Sequence, residues 1–204
     1  IFAGYPRYPA VLLGESMRWL PAPLMRAASV GVSAAIRSGL LSAERGRRPA
    51  QLLAHLHRPF RDRFLGYSSY WREQEIHALL TSDLQRHADE ESLYGFHNEL
   101  FAQADGLSPL SRMLAVDLCT FLPELNLENM DKTSMANAVE MRVPYLDHRL
   151  VEYSMMLPDE DKIRGRDERK VLLRSAWKGR IPDQILQRPK SCYSPHVRGW
   201  MRDS

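Results

Sequence analysis

The sequence predicts a mostly α-helical fold, and three observations carry that prediction. Apolar residues recur at the three-and-four spacing of a helix with one buried face, in one segment after another. No run alternates apolar and polar residues over the length of a strand, so no convincing β-strand is expected. Prolines fall mostly between these segments, where a missing N–H and a fixed φ disturb least.

In chain order, residues 9–20 and 23–37 read as the first two helices, punctuated by Pro21 and Pro23. Leu12, Leu13, Met17 and Leu20 stripe the first. Leu24, Ala27, Ala28, Gly31 and Ala35 give the second a small-residue face suited to close packing. Ser42 to Pro49 reads as a polar, basic linker, its Arg45, Arg47 and Arg48 belonging to a solvated helix start rather than a phosphate patch. A helix from about Pro49 to His57 follows, striped by Leu52, Leu53 and Leu56 and broken by Pro59. Residues 60–86 are aromatic-rich, and Phe60, Phe64, Tyr67, Tyr70 and Trp71 are read as core packing rather than a stacking platform for bases. Arg72 to Leu84 reads as one or two short helices, and Arg86 to Ser92 as an exposed connection. Beyond the boundary at Gly106 and Pro109, the residues Leu110, Met113, Leu114, Asp117, Leu118 and Phe121 trace an amphipathic helix that Pro123 ends.

The stretch from Leu122 to Leu157 organises the rest. Asp131 is placed to cap a helix, its carboxylate accepting from backbone N–H groups of the first turn where Ser134 sits. Met135, Ala138 and Val139 follow at helical spacing and are expected to face a core. Pro144 stops that helix and biases Val143 toward an extended backbone. Asp147 then caps a second helix, with Leu150, Val151, Ser154 and Met155 inward, which Pro158 ends. Glu140 and Arg142 sit beside the corner. They either pair with neighbours or cap helix ends, or they hold a nearby site in place.

Composition bounds the function. A chain of 204 residues with 44% hydrophobic content supports one domain with a real core. A net charge of +3, from 28 basic and 25 acidic residues, is too mild to argue for nucleic acid, and no aromatic-basic recognition motif supports one. No apolar run approaches the ~20 residues that span a bilayer, and no basic flank precedes an apolar stretch at the N-terminus, so no signal peptide is read. Cys119 reads as a small core residue. One disulfide with Cys192 is conceivable but undemanded, which favours a reducing, cytoplasmic compartment. His55 and His57 would point to different faces of a helix, and His148 stands alone, so no metal site is assigned.

Three short motifs in order carry a family resemblance. Asp131-Lys132-x-Ser134-Met135-Ala136, then Glu140-x-Arg142-x-Pro144-Tyr145-Leu146-Asp147-His148, resembles the late region of the asparagine synthetase family of ATP-dependent, glutamine-using amidotransferases. Lys132 departs from the arginine commoner there. The opening Ile1-Phe2-Ala3-Gly4-Tyr5 is similar to the tail of a longer family motif, Ser-Gly-x-Gly-x-Asp-Glu followed by Leu-Phe-x-Gly-Tyr, whose metal-binding aspartate would lie upstream of residue 1. The chain is thus expected to be a piece of a larger protein.

After Pro158 a polar segment with a hinge-capable Gly165 leads to Lys170, which heads a helix to Trp177 and shares a face with Leu173, Arg174 and Trp177. A cation near a helix N-terminus is electrostatically disfavoured. By spacing alone Lys170 is a solvated lysine or a functional one. The resemblance favours the second, because Lys170-x-x-Leu173-Arg174 is similar to the family segment carrying a catalytic lysine that contacts phosphates and the acyl-adenylate. The stretch Arg188-Pro189-Lys190 before a loop and Trp200 also resembles the family, but Ser191-Cys192-Tyr193 departs from its usual Gly-Phe or Ala-Phe and leaves the acceptor open.

The resemblance is general over residues 1–105 and specific over 106–204. It implies the helical C-terminal portion of an adenine-nucleotide α-hydrolase-like (ATP pyrophosphatase) α/β domain, using ATP and Mg bound mainly by residues outside this chain. Its implied partners are glutamine, aspartate or another carboxylate, and an N-terminal glutaminase domain; neither nucleic acid nor membrane is expected, and self-association stays open. Lys170 is the implied catalytic residue, with Glu140, Arg142 and Asp147 as architecture around the site. The phosphate loop is absent from this sequence, so the piece by itself is expected to be inactive. A relative acting on another acid, or a non-catalytic helical interaction module, are the other readings.

Overall fold

A computed structural model describes residues 1–56, 58–69, 73–87, 90–165 and 168–188. The chain divides into two compact units, Ile1–Val171 and Leu172–Ser204. The first contains eleven helices among its described residues: α1 (Arg7–Ser16), α2 (Ala22–Arg37), α3 (Ala43–His55), α4 (Phe60–Ser68), α5 (Glu73–Leu79), α6 (Ser82–His87), α7 (Glu90–Gln103), α8 (Pro109–Cys119), α9 (Glu128–Met135), α10 (His148–Met156) and α11 (Asp159–Lys162). A π-helical segment, Phe121–Leu127, joins α8 to α9, and a 3₁₀ turn, Pro144–Leu146, precedes α10. Strands β1 (Ile163–Arg164) and β2 (Glu168–Arg169) pair antiparallel, Ile163 opposite Arg169. Helix α12 (Val171–Trp177) runs on from the first unit, and the second holds α13 (Asp183–Leu186) and a bridge between Lys178 and Ile181.

The core of the first unit lies where α1, α4, α7 and α8 meet. Val11, Phe64, Phe101, Leu110, Met113 and Leu114 are its buried apolar members, with Ile163 of β1 against them. Phe101 meets Phe60 and Phe64 edge-to-face, the arrangement the ring quadrupoles favour. Each such side chain contributes about 1.5–3 kcal/mol by leaving water. Helix α8 starts as predicted: Ser108 accepts the Ser111 N–H at 3.1 Å, and Pro109 takes the first helical position, where no N–H is missed. Ser108 also donates to Asp159 Oδ1 at 2.8 Å, tying α8 to α11.

Buried charges are matched. The Arg63 side chain, 1% exposed, pairs with Glu15 and donates to the Leu56 carbonyl at 3.1 Å, linking α1, α4 and the end of α3. It lies flat on Gly14, where a Cβ would meet Arg63 Cδ at 2.6 Å. Lys162, fully buried, donates to the Leu157 carbonyl at 2.8 Å beyond the end of α10.

Several elements differ from expectation. The first helix ends at Ser16, whose hydroxyl turns back to the Leu13 carbonyl at 2.8 Å and competes with the helical ladder. The basic stretch before Pro49 is helical, and Pro49 lies inside α3. Packing decides this: Gly46 approaches α2 so closely that a Cβ would sit 2.5 Å from Ile36 Cγ1. The charged stretch read as a connection is partly the first turn of α7. Pro123 does not end the helical course but falls in the first turn of the π segment, where a backbone N–H has no intrahelical partner to miss. Asp131 lies within α9 rather than capping it, and α9 stops well before Pro144. Met135, Ala138 and Val139 are exposed rather than in the core: α9 ends at Met135, so the helical face they were to share does not continue, and Ala138 follows in a turn at φ +54°. Cys119 is exposed, not buried, since α8 buries Leu110, Met113, Leu114, Val116 and Asp117 on its other side. The β1–β2 hairpin is too short, at two residues a strand, to leave a period-two signal. Asp147 does cap α10, accepting the Arg149 N–H at 3.0 Å, and Ser154 is fully buried.

Candidate functional site

The segment around Gly4 is where sequence-distant parts of the first unit meet. Gly4 lies between Ala3, buried and at φ +50°, and Tyr5. The β1–β2 hairpin reverses with Gly165 at φ +60°, and Lys170 follows β2 at φ +58°. Lys170 therefore precedes α12 as a left-handed residue instead of standing inside the helix. Its aliphatic stem lies over Gly4 so closely that a Cβ there would be 2.4 Å from Lys170 Cε. Arg169 Nη1 donates to the Gly4 carbonyl at 3.3 Å. On the other side the Phe2 ring meets Tyr145 of the 3₁₀ turn edge-to-face at 6.2 Å. Residues 2–4 thus touch both the corner that follows Glu140 and Arg142 and the segment that carries Lys170.

Backbone strain marks the same places. Ala3, Ala138 and Lys170 are the non-glycine residues with positive φ among the described residues. Each left-handed residue costs on the order of 1–3 kcal/mol and persists only where its surroundings over-determine it, a pattern that gathers at functional sites.

Behind this segment lies a buried polar cluster. Arg7 Nη2 donates to Asp117 Oδ2 at 2.5 Å, and the Tyr8 hydroxyl donates to the same oxygen. The Arg7 guanidinium stacks over Phe121, 4.3 Å from the ring centre, and bonds Ser68 Oγ at 3.3 Å. Burial pushes the Asp117 carboxyl up, opposed by Arg7 and the Tyr8 hydroxyl, and pushes the Tyr8 phenol well above its ordinary range, with Asp117 adding to it. A cavity of about 350 Å³ opens beside them, and His97 on its wall is pushed down by burial against the pull of Glu124 and Asp117.

The other residues singled out in the sequence are placed as follows. Glu140 and Arg142 pair with each other at 2.7 Å, their side chains 67% and 81% exposed. Asp147 accepts from Arg149 Nε at 3.0 Å and Nη2 at 2.8 Å, which with the backbone bond holds its carboxyl below the usual carboxylate range. Residues 191–193 and Trp200 lie outside the described residues. Arg169 and the Arg7–Tyr8–Asp117 cluster do not stand out from the sequence as functional, and Gly4 enters it only as a member of the opening motif. One signal was present: Asp117 occupies a position on the apolar stripe of α8.

The sequence profile of the family described as asparagine synthase matches residues 1–204. The chain belongs to the asparagine synthase family. It is 28% identical over its full length to asparagine synthetase [glutamine-hydrolyzing] 1 of Bacillus subtilis, covering 30% of that protein. Over 99% of its length it is 30% identical to a putative asparagine synthetase [glutamine-hydrolyzing] of Mycobacterium tuberculosis, covering 29% of it. A shorter match, 42% identical over 69 residues, covers 33% of the chain and 12% of the human asparagine synthetase [glutamine-hydrolyzing]. The chain thus spans about 30% of the length of the curated relatives that match it throughout. No solved structure matches it.

The mostly helical architecture agrees with the helical portion of this family's α/β domain. Among the described residues there is no group of three or more His, Cys, Asp or Glu that could hold a metal ion. No described helix is long and apolar enough to cross a membrane. What the site offers, among the described residues, is the cationic side chain of Lys170 on a left-handed backbone against a glycine, with the Arg169 guanidinium on the carbonyl of that glycine.

Proposed function

We propose that this chain is the C-terminal, helical part of the synthetase domain of an ATP-dependent, glutamine-using amidotransferase, with aspartate as its default acceptor and asparagine as product. The observation that carries the reading is the packing of Lys170 on Gly4. It joins the segment similar to the family's catalytic-lysine motif to the segment similar to the end of its Ser-Gly-x-Gly-x-Asp-Glu motif. In the reaction, a carboxylate oxygen attacks the α-phosphorus of ATP and pyrophosphate leaves. Ammonia released from glutamine by an N-terminal glutaminase domain then attacks the acyl carbon, and AMP leaves with the electron pair of the broken C–O bond.

Both steps build negative charge, on the leaving phosphate and on the carbonyl oxygen. A fixed ammonium stabilises that charge without moving a proton, and a site closed to water strengthens the effect. Lys170 takes this role. Glu140, Arg142 and Asp147 shape the corner that reaches Phe2 through Tyr145. ATP supplies the activating adenylyl group and is held, with magnesium, mainly by residues outside this chain; no step is derived through the metal.

The test is pyrophosphate release by the intact polypeptide, given Mg-ATP, ammonia and a panel of carboxylates. The reading predicts release that requires aspartate, with one asparagine formed for each pyrophosphate. Release that ignores aspartate but answers to another acid overturns the acceptor, and no release with any acid overturns the activity.

A further inference from the structure

We propose that Gly4 is a positioning residue for Lys170, and that Arg169 locks the two together. This rests on the reading of Lys170 as the residue that stabilises charge in the transition state. Three observations carry it. The stem of Lys170 occupies the space a side chain at Gly4 would fill, its Cε 2.4 Å and its Cδ 3.5 Å from an ideal Cβ. Gly4 is not among the positive-φ glycines, so its backbone does not need glycine; only the closeness of Lys170 does. Arg169, the residue before Lys170, fastens the end of β2 to the Gly4 carbonyl.

The lysine thus has both ends of its geometry set. Its backbone is held left-handed after the hairpin, and its chain is laid along a groove that exists only because residue 4 lacks a Cβ. Four flexible χ angles are reduced to the few that follow the Gly4 backbone, so the ammonium arrives pre-aimed. A misplacement of about 1 Å can cost on the order of 100-fold in rate.

A methyl at residue 4 would displace the flexible outer part of a side chain rather than the backbone, so the fold tolerates Gly4→Ala while the ammonium moves. The experiment is a double-mutant cycle in the intact polypeptide: parent, Gly4→Ala, Lys170→Ala and the double variant, with kcat and KM for pyrophosphate release and the melting temperature of each. The expected result is a kcat loss of about tenfold or more for Gly4→Ala, with KM for ATP and acceptor within about twofold, since an interaction made only in the transition state is lost from kcat alone. The melting temperature stays at the parent value, and Gly4→Ala has no further effect on kcat in the Lys170→Ala background. Parent-like kcat in Gly4→Ala while Lys170→Ala collapses overturns the inference and leaves the reading of Lys170 intact. So does a full additional loss in the double variant, which would mean that Gly4 acts without Lys170. Parent-like kcat in Lys170→Ala overturns that reading and the inference with it. Should Gly4→Ala lower the melting temperature, Arg169→Met decides: a kcat loss that vanishes in the Lys170→Ala background supports the lock, and parent-like kcat overturns it.

Discussion

Lys170 shows how much a single backbone angle adds to a motif. As a lysine heading a helix it is ambiguous; at φ +58°, after a two-residue strand and on top of Gly4, it is constrained along its whole length. A left-handed lysine is strained where glycine is not. Lys170→Gly is therefore expected to keep or raise stability by up to about 1 kcal/mol relative to Lys170→Ala, by urea denaturation, while both lose the ammonium. A Lys170→Gly protein less stable than Lys170→Ala would show that the angle is not strained. Sequence could single out Lys170, because the residues around it resemble a motif. It shows Gly4 only as a member of a motif and not why glycine is needed there, because that need comes from a side chain 166 positions away.

Between α1 and α8 the link is polar and buried. Arg7 and Tyr8 of α1 converge on Asp117 of α8, a carboxylate on an otherwise apolar stripe. The residue pattern placed α8 correctly and put Asp117 on its buried side, yet nothing in it named the partners, which lie 109 and 110 residues away. The coupling has a pH signature. Folded, Tyr8 keeps its proton where the unfolded chain, with an ordinary value near 10, releases it. The folded state then binds more protons, so this part of the stability is full below about pH 10 and is lost as pH rises beyond it. Chemical denaturation across that range is expected to show a falling alkaline limb that Tyr8→Phe flattens; an identical limb in Tyr8→Phe would place its origin elsewhere. The same element scale accounts for the misread exposures. Helical periodicity says which residues share a face, not what covers that face, so Cys119, Met135 and Val139 were assigned to a core that α8 and the turn at Ala138 do not build over them.

At the scale of the molecule, helical class and the approximate places of α2, α5, α6, α8, α10 and α12 were legible, because stripes, caps and prolines are local signals. The helicity before Pro49, the π segment and the small hairpin were not, since each depends on packing between segments or is too short to carry a period. The chain covers about 30% of relatives whose names describe a glutamine-hydrolysing asparagine synthetase, and it brings to residues 2–4 the two later segments that resemble that family. The central claim is that Lys170 acts in the proposed amidotransferase chemistry. It is tested most directly by the rate of pyrophosphate release from Mg-ATP, aspartate and ammonia in the intact polypeptide, with and without Lys170→Ala. The account predicts a fall in kcat on the order of 100-fold or more with the fold retained. An unchanged rate in Lys170→Ala would contradict it.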